Sequence, residues 1–245
     1  MPAVYCLLTG KSQKLYGVAL QLVTAGLGDL NLEMVTCDFE LALMNAIHTT
    51  LGSHIKITGC LFHYCQALLR WIKHEGLQGE YERMERIYKY VRRFMALPLL
   101  PAEAIDSTVD ELKKTLPSKL NIFLKYWEAQ WGEGGRVPKE KWGVFSNPIR
   151  TNNAVEGWHN RIAHQCRRLR LNEWSFIIWA KKEQDNVRTK LIQIAGGNSI
   201  AREPSKIQKD KNQKVENLIN LYTKGDIDCI PFLDSVSDTL CKVVY

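Results

Sequence analysis

The sequence predicts an α/β protein that becomes wholly helical after its first eighty residues, and three observations predict it. Strand-like and helix-like runs alternate three times before Gly76. From Tyr81 to Trp131 only helical periodicity is present, broken by Pro98, Pro101 and Pro117. Further on, another long helical stretch is expected from about Trp174 to Ile194.

Each element has its own signals. Ala3 to Leu8 is an apolar run that reads as a strand. Ser12 is placed to cap the helix whose apolar stripe is Leu15, Val18, Ala19 and Leu22. Gly26 and Gly28 end it. Glu33 to Cys37 reads as a second strand, followed by a helical stripe at Phe39, Leu43, Ala46 and Ile47. Ile55 to Cys60 reads as a third, followed by Leu61, Cys65, Leu68, Leu69 and Ile72 at helical spacing. The repeated strand–helix order is that of a sheet with crossover helices. A Gly-, Pro- and Trp-rich loop follows Trp131, a helix is expected near Asn152, and a last one from about Asn212 to Tyr222.

Composition narrows the class. Apolar residues make up 45% and charged residues 24%, which suits a packed globular core and not a disordered chain. No apolar run approaches the ~18 residues of a membrane span. MPAVYCLLTGKSQ has no basic start before its apolar run and reads as a strand, not as a secretory leader. Seven irregularly spaced cysteines are then expected to be reduced thiols. A net charge of +7 favours a polyanionic partner.

Three segments carry residue types capable of chemistry. Asp38, in VTCDFE, stands where a strand ends and a helix begins, the edge at which open α/β sheets bind ligands. It also suits an N-cap for the helix at Phe39. TNNAVEGWHN, at 151–160, read as a helix, puts Asn152, Glu156, His159 and Asn160 on one stripe and Val155, Trp158 and Ile162 on the opposite face. Its Asn153-to-Glu156 spacing equally fits a capping box. Cys60-Leu-Phe-His63 is half of a zinc site. The other candidate half, His159 and His164, is five residues apart, and such a pair diverges on a regular helix, so zinc is not expected. His63 shares a polar face with Gln66 and Arg70 and is the better candidate for a residue beside a site.

Basic residues cluster after Glu156. Arg161, Arg167, Arg168 and Arg170 precede Trp174 and Trp179, then Lys181 and Lys182. Arginine and lysine beside exposed aromatics suit phosphates and unstacked bases; the alternative is that Trp174, Ile177 and Ile178 are core. Arg92, Arg93, Lys113 and Lys114 are candidates to extend such a groove, and Lys206, Lys209, Lys211 and Lys214 read as a flexible basic linker.

Taken in order, C-D-F-E-x-A around Asp38, G-C-L-F-H-Y-C-Q at 59–66 and T-N-N-x-x-E-G-W-H at 151–159 resemble the transposase domain of Mutator-like elements, over roughly residues 1–190. The resemblance implies a ribonuclease-H-like α/β fold with an Asp-Asp-Glu set. Asp38 matches the second acid, Glu156 the third, and Cys60 and His63 the C-x2-H signature that follows the second acid. It implies Mg²⁺ or Mn²⁺ held by Asp38 and Glu156, with DNA as partner, a nuclear location and a possible homo-oligomer. The start of the sequence corresponds to the family's third strand, so the first two strands and the first acid have no counterpart. The expectation is therefore a partial ribonuclease-H-like sheet at 1–78, a helical insertion at 79–148, core helices carrying the Glu motif at 149–195, and a basic linker and tail at 196–245. The expected function is transposase-type DNA cleavage and strand transfer, impaired by the absent acid. The alternative is a non-catalytic nuclear DNA-binding or regulatory protein derived from a transposase.

Overall fold

The computed structural model describes residues 4–28, 31–145, 147, 150, 162–164, 172–197 and 206–240. The chain opens with α1 (Gln13–Leu27), β1 (Met34–Cys37), α2 (Leu41–Leu51), β2 (Lys56–Gly59) and α3 (Leu61–His74). Helices follow almost without interruption: α4 (Gln78–Arg83), α5 (Glu85–Ala96), α6 (Ala102–Lys114), α7 (Asn121–Trp131) and the short α8 (Lys139–Trp142). Further along the chain come α9 (Glu173–Ala195), α10 (Lys206–Lys224) and α11 (Cys229–Ser237).

The structure does not form the expected partial ribonuclease-H-like sheet. Among the described residues there are two strands, β1 and β2, paired in parallel from Met34 opposite Lys56 to Cys37 opposite Gly59. The protein is mostly helical. The apolar run Ala3 to Leu8 is expected to be a strand, but its residues 4–8 are not a strand and lie outside the sheet. Its side chains face Leu15, Val18 and Leu22 of α1 across an apolar groove of about 490 Å³. A short apolar run satisfies either a sheet neighbour or a helix flank, and here the helix takes it.

The sequence forms these helices for local reasons. Ser12 caps α1, its Oγ accepting from the Leu15 backbone N–H at 3.3 Å. In α5, Ile87, Tyr90, Val91, Phe94 and Met95 recur at i+3 and i+4 and are all buried. Pro98 and Pro101 end that helix and start the next. Gly76, with φ of +72°, turns the chain out of α3, a conformation that favours glycine.

Two cores result. The larger joins α3 to α8 with α10 and α11 around Tyr64, Phe94, Phe123, Trp127, Trp131 and Trp142. The smaller lies under α2 and the strands and consists of Cys37, Met44, Ile47, Ile55 and Ile57. Phe39 packs against both. The basic run read as a linker is helical and lies within α10, where Val215 is buried. In α11, Phe232, Leu233 and Val236 are buried in the larger core.

Candidate functional site

Asp38 follows the last residue of β1, and α3 starts two residues after the end of β2. The parallel pairing therefore brings Asp38 and the first turn of α3 to the same edge of the sheet. The ladder is prolonged there by the Cys60 N–H, which donates to the Cys37 carbonyl at 3.1 Å. His63 occupies the first turn of α3, and its Nδ1 stands 2.9 Å from Asp38 Oδ1. The Asp38 side chain is 50% exposed and the His63 side chain 25%. Both side chains are thus within reach of solvent.

Asp38 is not the helix cap that its position also allowed. The N-cap of α2 is Glu40, whose side chain makes no capping bond. Glu40 instead accepts from Tyr16 Oη at 2.9 Å and pairs with Lys11 Nζ at 3.4 Å, tying the Asp38 loop to α1. Burial first, and then the Glu40 carboxylate, push the Tyr16 phenol up, so it remains a donor.

The loop is fixed from the other side by Phe39. Its ring lies over Gly59, where an added Cβ would stand 2.1 Å from the ring, and its edge meets Trp131 at 4.9 Å between centroids. His63 is anchored through its neighbour Tyr64. The Tyr64 hydroxyl donates to the Phe94 carbonyl at 3.0 Å and accepts from Trp127 Nε1 at 2.8 Å. The Tyr64 ring stacks on Trp142 at 5.3 Å. Complete burial holds the Tyr64 phenol well above its usual range, so it stays neutral.

Cys37, just before Asp38, is a buried thiol pushed up to about 12 by burial and by the Asp38 carboxylate, against a smaller opposing effect of Lys141. It is neither a thiolate nucleophile nor a metal ligand in that state. Cys60 is fully buried. Among the described residues no three His, Cys, Asp or Glu side chains form a group able to hold a metal ion. Asp38 offers one carboxylate to a hard cation, with an imidazole alongside to hold or pass a proton.

Glu156, the second expected metal ligand, lies outside the described residues, as do Arg161, Arg167, Arg168 and Arg170. The chain does return towards the site just before them. The Arg150 carbonyl accepts from the Leu61 N–H at 3.0 Å, satisfying an open donor in the first turn of α3. Lys181 and Lys182 are exposed on α9. Trp174, Ile177 and Ile178 are exposed too, so they are not core.

Arg92 and Arg93 do not line a groove. Arg92 is buried and donates to the carbonyls of Ser237 and Leu240. Arg93 Nε and Nη2 donate to the two oxygens of Asp234 at 2.7 and 2.9 Å. Both cations hold the C-terminal helix in place, a use of arginine that its charge alone does not announce.

No family model, curated protein or solved structure matches the chain. No described helix is long and apolar enough to cross a membrane.

Proposed function

We propose that this chain is a DNA-processing protein of the Mutator-like transposase kind, with Asp38 and Glu156 as ligands for Mg²⁺ or Mn²⁺ and His63 beside them. The observation that carries the reading is the 2.9 Å approach of His63 to Asp38 at the carboxyl edge of β1 and β2. Stability gives little reason for that approach, because a polar contact between partly exposed side chains contributes about 0–1 kcal/mol. The two residues belong to two of the three segments that carry the resemblance. The third begins directly after Arg150, whose carbonyl is bonded to the first residue of α3. The reading rests on this local arrangement and not on the overall architecture.

The chemistry follows from the donor set. Carboxylate oxygens bind hard divalent cations, which polarise a phosphodiester and lower the pKa of a bound water. Asp38 and Glu156 supply two carboxylates to such an ion in this reading.

The test is Mn²⁺ binding to the purified protein, followed by electron paramagnetic resonance, alongside nicking of supercoiled DNA. The wild type should bind Mn²⁺, Asp38→Asn and Glu156→Gln should each weaken binding at least about tenfold, and a Glu at an unrelated surface position should be neutral. DNA affinity should fall steeply with salt and show little sequence preference. Mn²⁺ binding that Asp38→Asn leaves unchanged would remove the metal site and leave the alternative of a non-catalytic DNA-binding protein.

A further inference from the structure

The helix α9 exposes a seam whose chemistry is that of an interface. Phe176, Trp179, Ala180 and Val187 are partly buried and Glu183 is buried. The opposite side carries Trp174, Ile178, Lys181 and Asp185, all exposed, and the same stripe continues through Arg188 and Ile192 in a stretch exposed on every side from Arg188 to Gly197. Their steps of four, three, four, three and four residues form one narrow stripe, as in a coiled-coil seam. Trp174 is 75% exposed, Ile178 58% and Ile192 65%. The stripe is thus apolar at both ends and charged in the middle.

We propose that α9 pairs antiparallel with α9 of a second copy of this chain. A two-fold axis at the level of Glu183 sets Lys181 of each copy opposite Asp185 of the other, giving two opposite-charge contacts at the centre. The same axis sets Trp174 opposite Ile192 at both ends. Ile178 then faces Arg188, whose aliphatic stem covers it while the guanidinium stays wet. A parallel pair would oppose Lys181 to Lys181 and Asp185 to Asp185, which repel. Antiparallel packing also sets the two helix dipoles favourably. An acidic residue midway along the seam and exposed isoleucines to either side suit a copy of the same helix better than a phosphate backbone. The pairing spans 18 residue steps, about 27 Å of helix.

The interface is isologous, so a single charge change is felt twice. The test is sedimentation equilibrium of the full chain over a range of concentrations, with circular dichroism to confirm that each variant is folded. The wild type should pass from monomer to dimer as concentration rises. Lys181→Glu or Asp185→Lys alone should each weaken self-association at least about tenfold, and the double exchange K181E/D185K should restore it. Trp174→Ala should weaken it without change in helicity. A wild type that stays monomeric at its highest soluble concentration would overturn the proposal. So would a double exchange no better than the single ones, or a particle larger than a dimer. DNA affinity that falls with Lys181→Glu and is not recovered in the double exchange, with the mass unchanged, would instead assign Lys181 to DNA and also overturn it.

Discussion

Gly59 shows how closely the candidate site is built at the level of single residues. The Phe39 ring occupies the space a Cβ would need, and the Lys141 carbonyl lies 3.0 Å from the same point. Gly59→Ala should therefore displace Phe39, and with it Asp38 one residue earlier. Overpacking of this kind costs about 1–3 kcal/mol, to be read from urea denaturation. A variant as stable as wild type would mean that Phe39 has room to move. Asp38→Asn should behave oppositely, shifting stability by less than about 1 kcal/mol because the side chain is half exposed. Cys37 contributes a pH dependence at the alkaline end. Its thiol is raised from 9.0 to about 12 in the folded protein, so the unfolded chain loses this proton first as pH rises. Its contribution is complete below pH 9 and is lost between 9 and about 12, at about 1.4 kcal/mol per pH unit. Alkylation at pH 8 should accordingly label exposed Cys6 and spare Cys37, and equal labelling would contradict the burial.

At the scale of elements, α11 is clamped by charge as well as by apolar packing. Asp234 accepts from Arg93 and lies 3.1 Å from Lys89. Burial alone would push the Asp234 carboxyl up; the hydrogen bonds from Arg93 and Lys89 outweigh it and hold it below the ordinary range. The stabilisation is present above the ordinary carboxyl value and is lost as pH falls through the lowered one. Asp234→Ala strips Arg93, a mostly covered cation, of its bidentate partner and should cost about 1–3 kcal/mol. Thermal melts at pH 7 and pH 3 test both statements, the variant's deficit shrinking at the lower pH. These partners are 141 residues apart in the chain, and no local pattern joins them. Local patterns were readable where a helix cap or stripe specified them. Ser12, the stripe of α3 and the limits of α9 follow from spacing and capping chemistry. The Val4–Leu8 run was not readable, since five apolar residues suit a strand or a helix flank equally. Nor was the exposure of Trp174, Ile177 and Ile178, because apolar character specifies a preference for cover without saying what provides it. For the site, Asp38 and His63 could be selected from their segments, but their approach depends on the parallel pairing of β1 and β2, which neither segment encodes alone.

For the whole molecule, the consequence of two unequal cores is unequal stability. In the larger core α3, α5, α7, α10 and α11 share a continuous aromatic and aliphatic interior. The smaller has five buried residues, and α1, which packs on α2, has side chains that are at most partly buried. Local opening free energies follow the apolar surface each unit buries. Amides of α1 and α2 should therefore exchange with solvent faster than those of α3, α5 and α7 under native conditions, by hydrogen exchange read peptide by peptide. Phe39 touches both cores and is the apolar link between them next to Asp38. Phe39→Ala should accelerate exchange in α1, α2 and the strands while leaving α5 and α7 near their wild-type protection. Uniform acceleration across the chain would show instead that the two cores open as one unit. The distinction bears directly on function, because Asp38 travels with the smaller core and His63 with the larger. Opening between them takes Asp38 away from the rest of the site, so an ion that binds only the closed site should slow exchange in α1 and α2 even though it touches neither helix. Mn²⁺ is the probe for that effect, and protection confined to α3 would mean that the ion does not bridge the two cores.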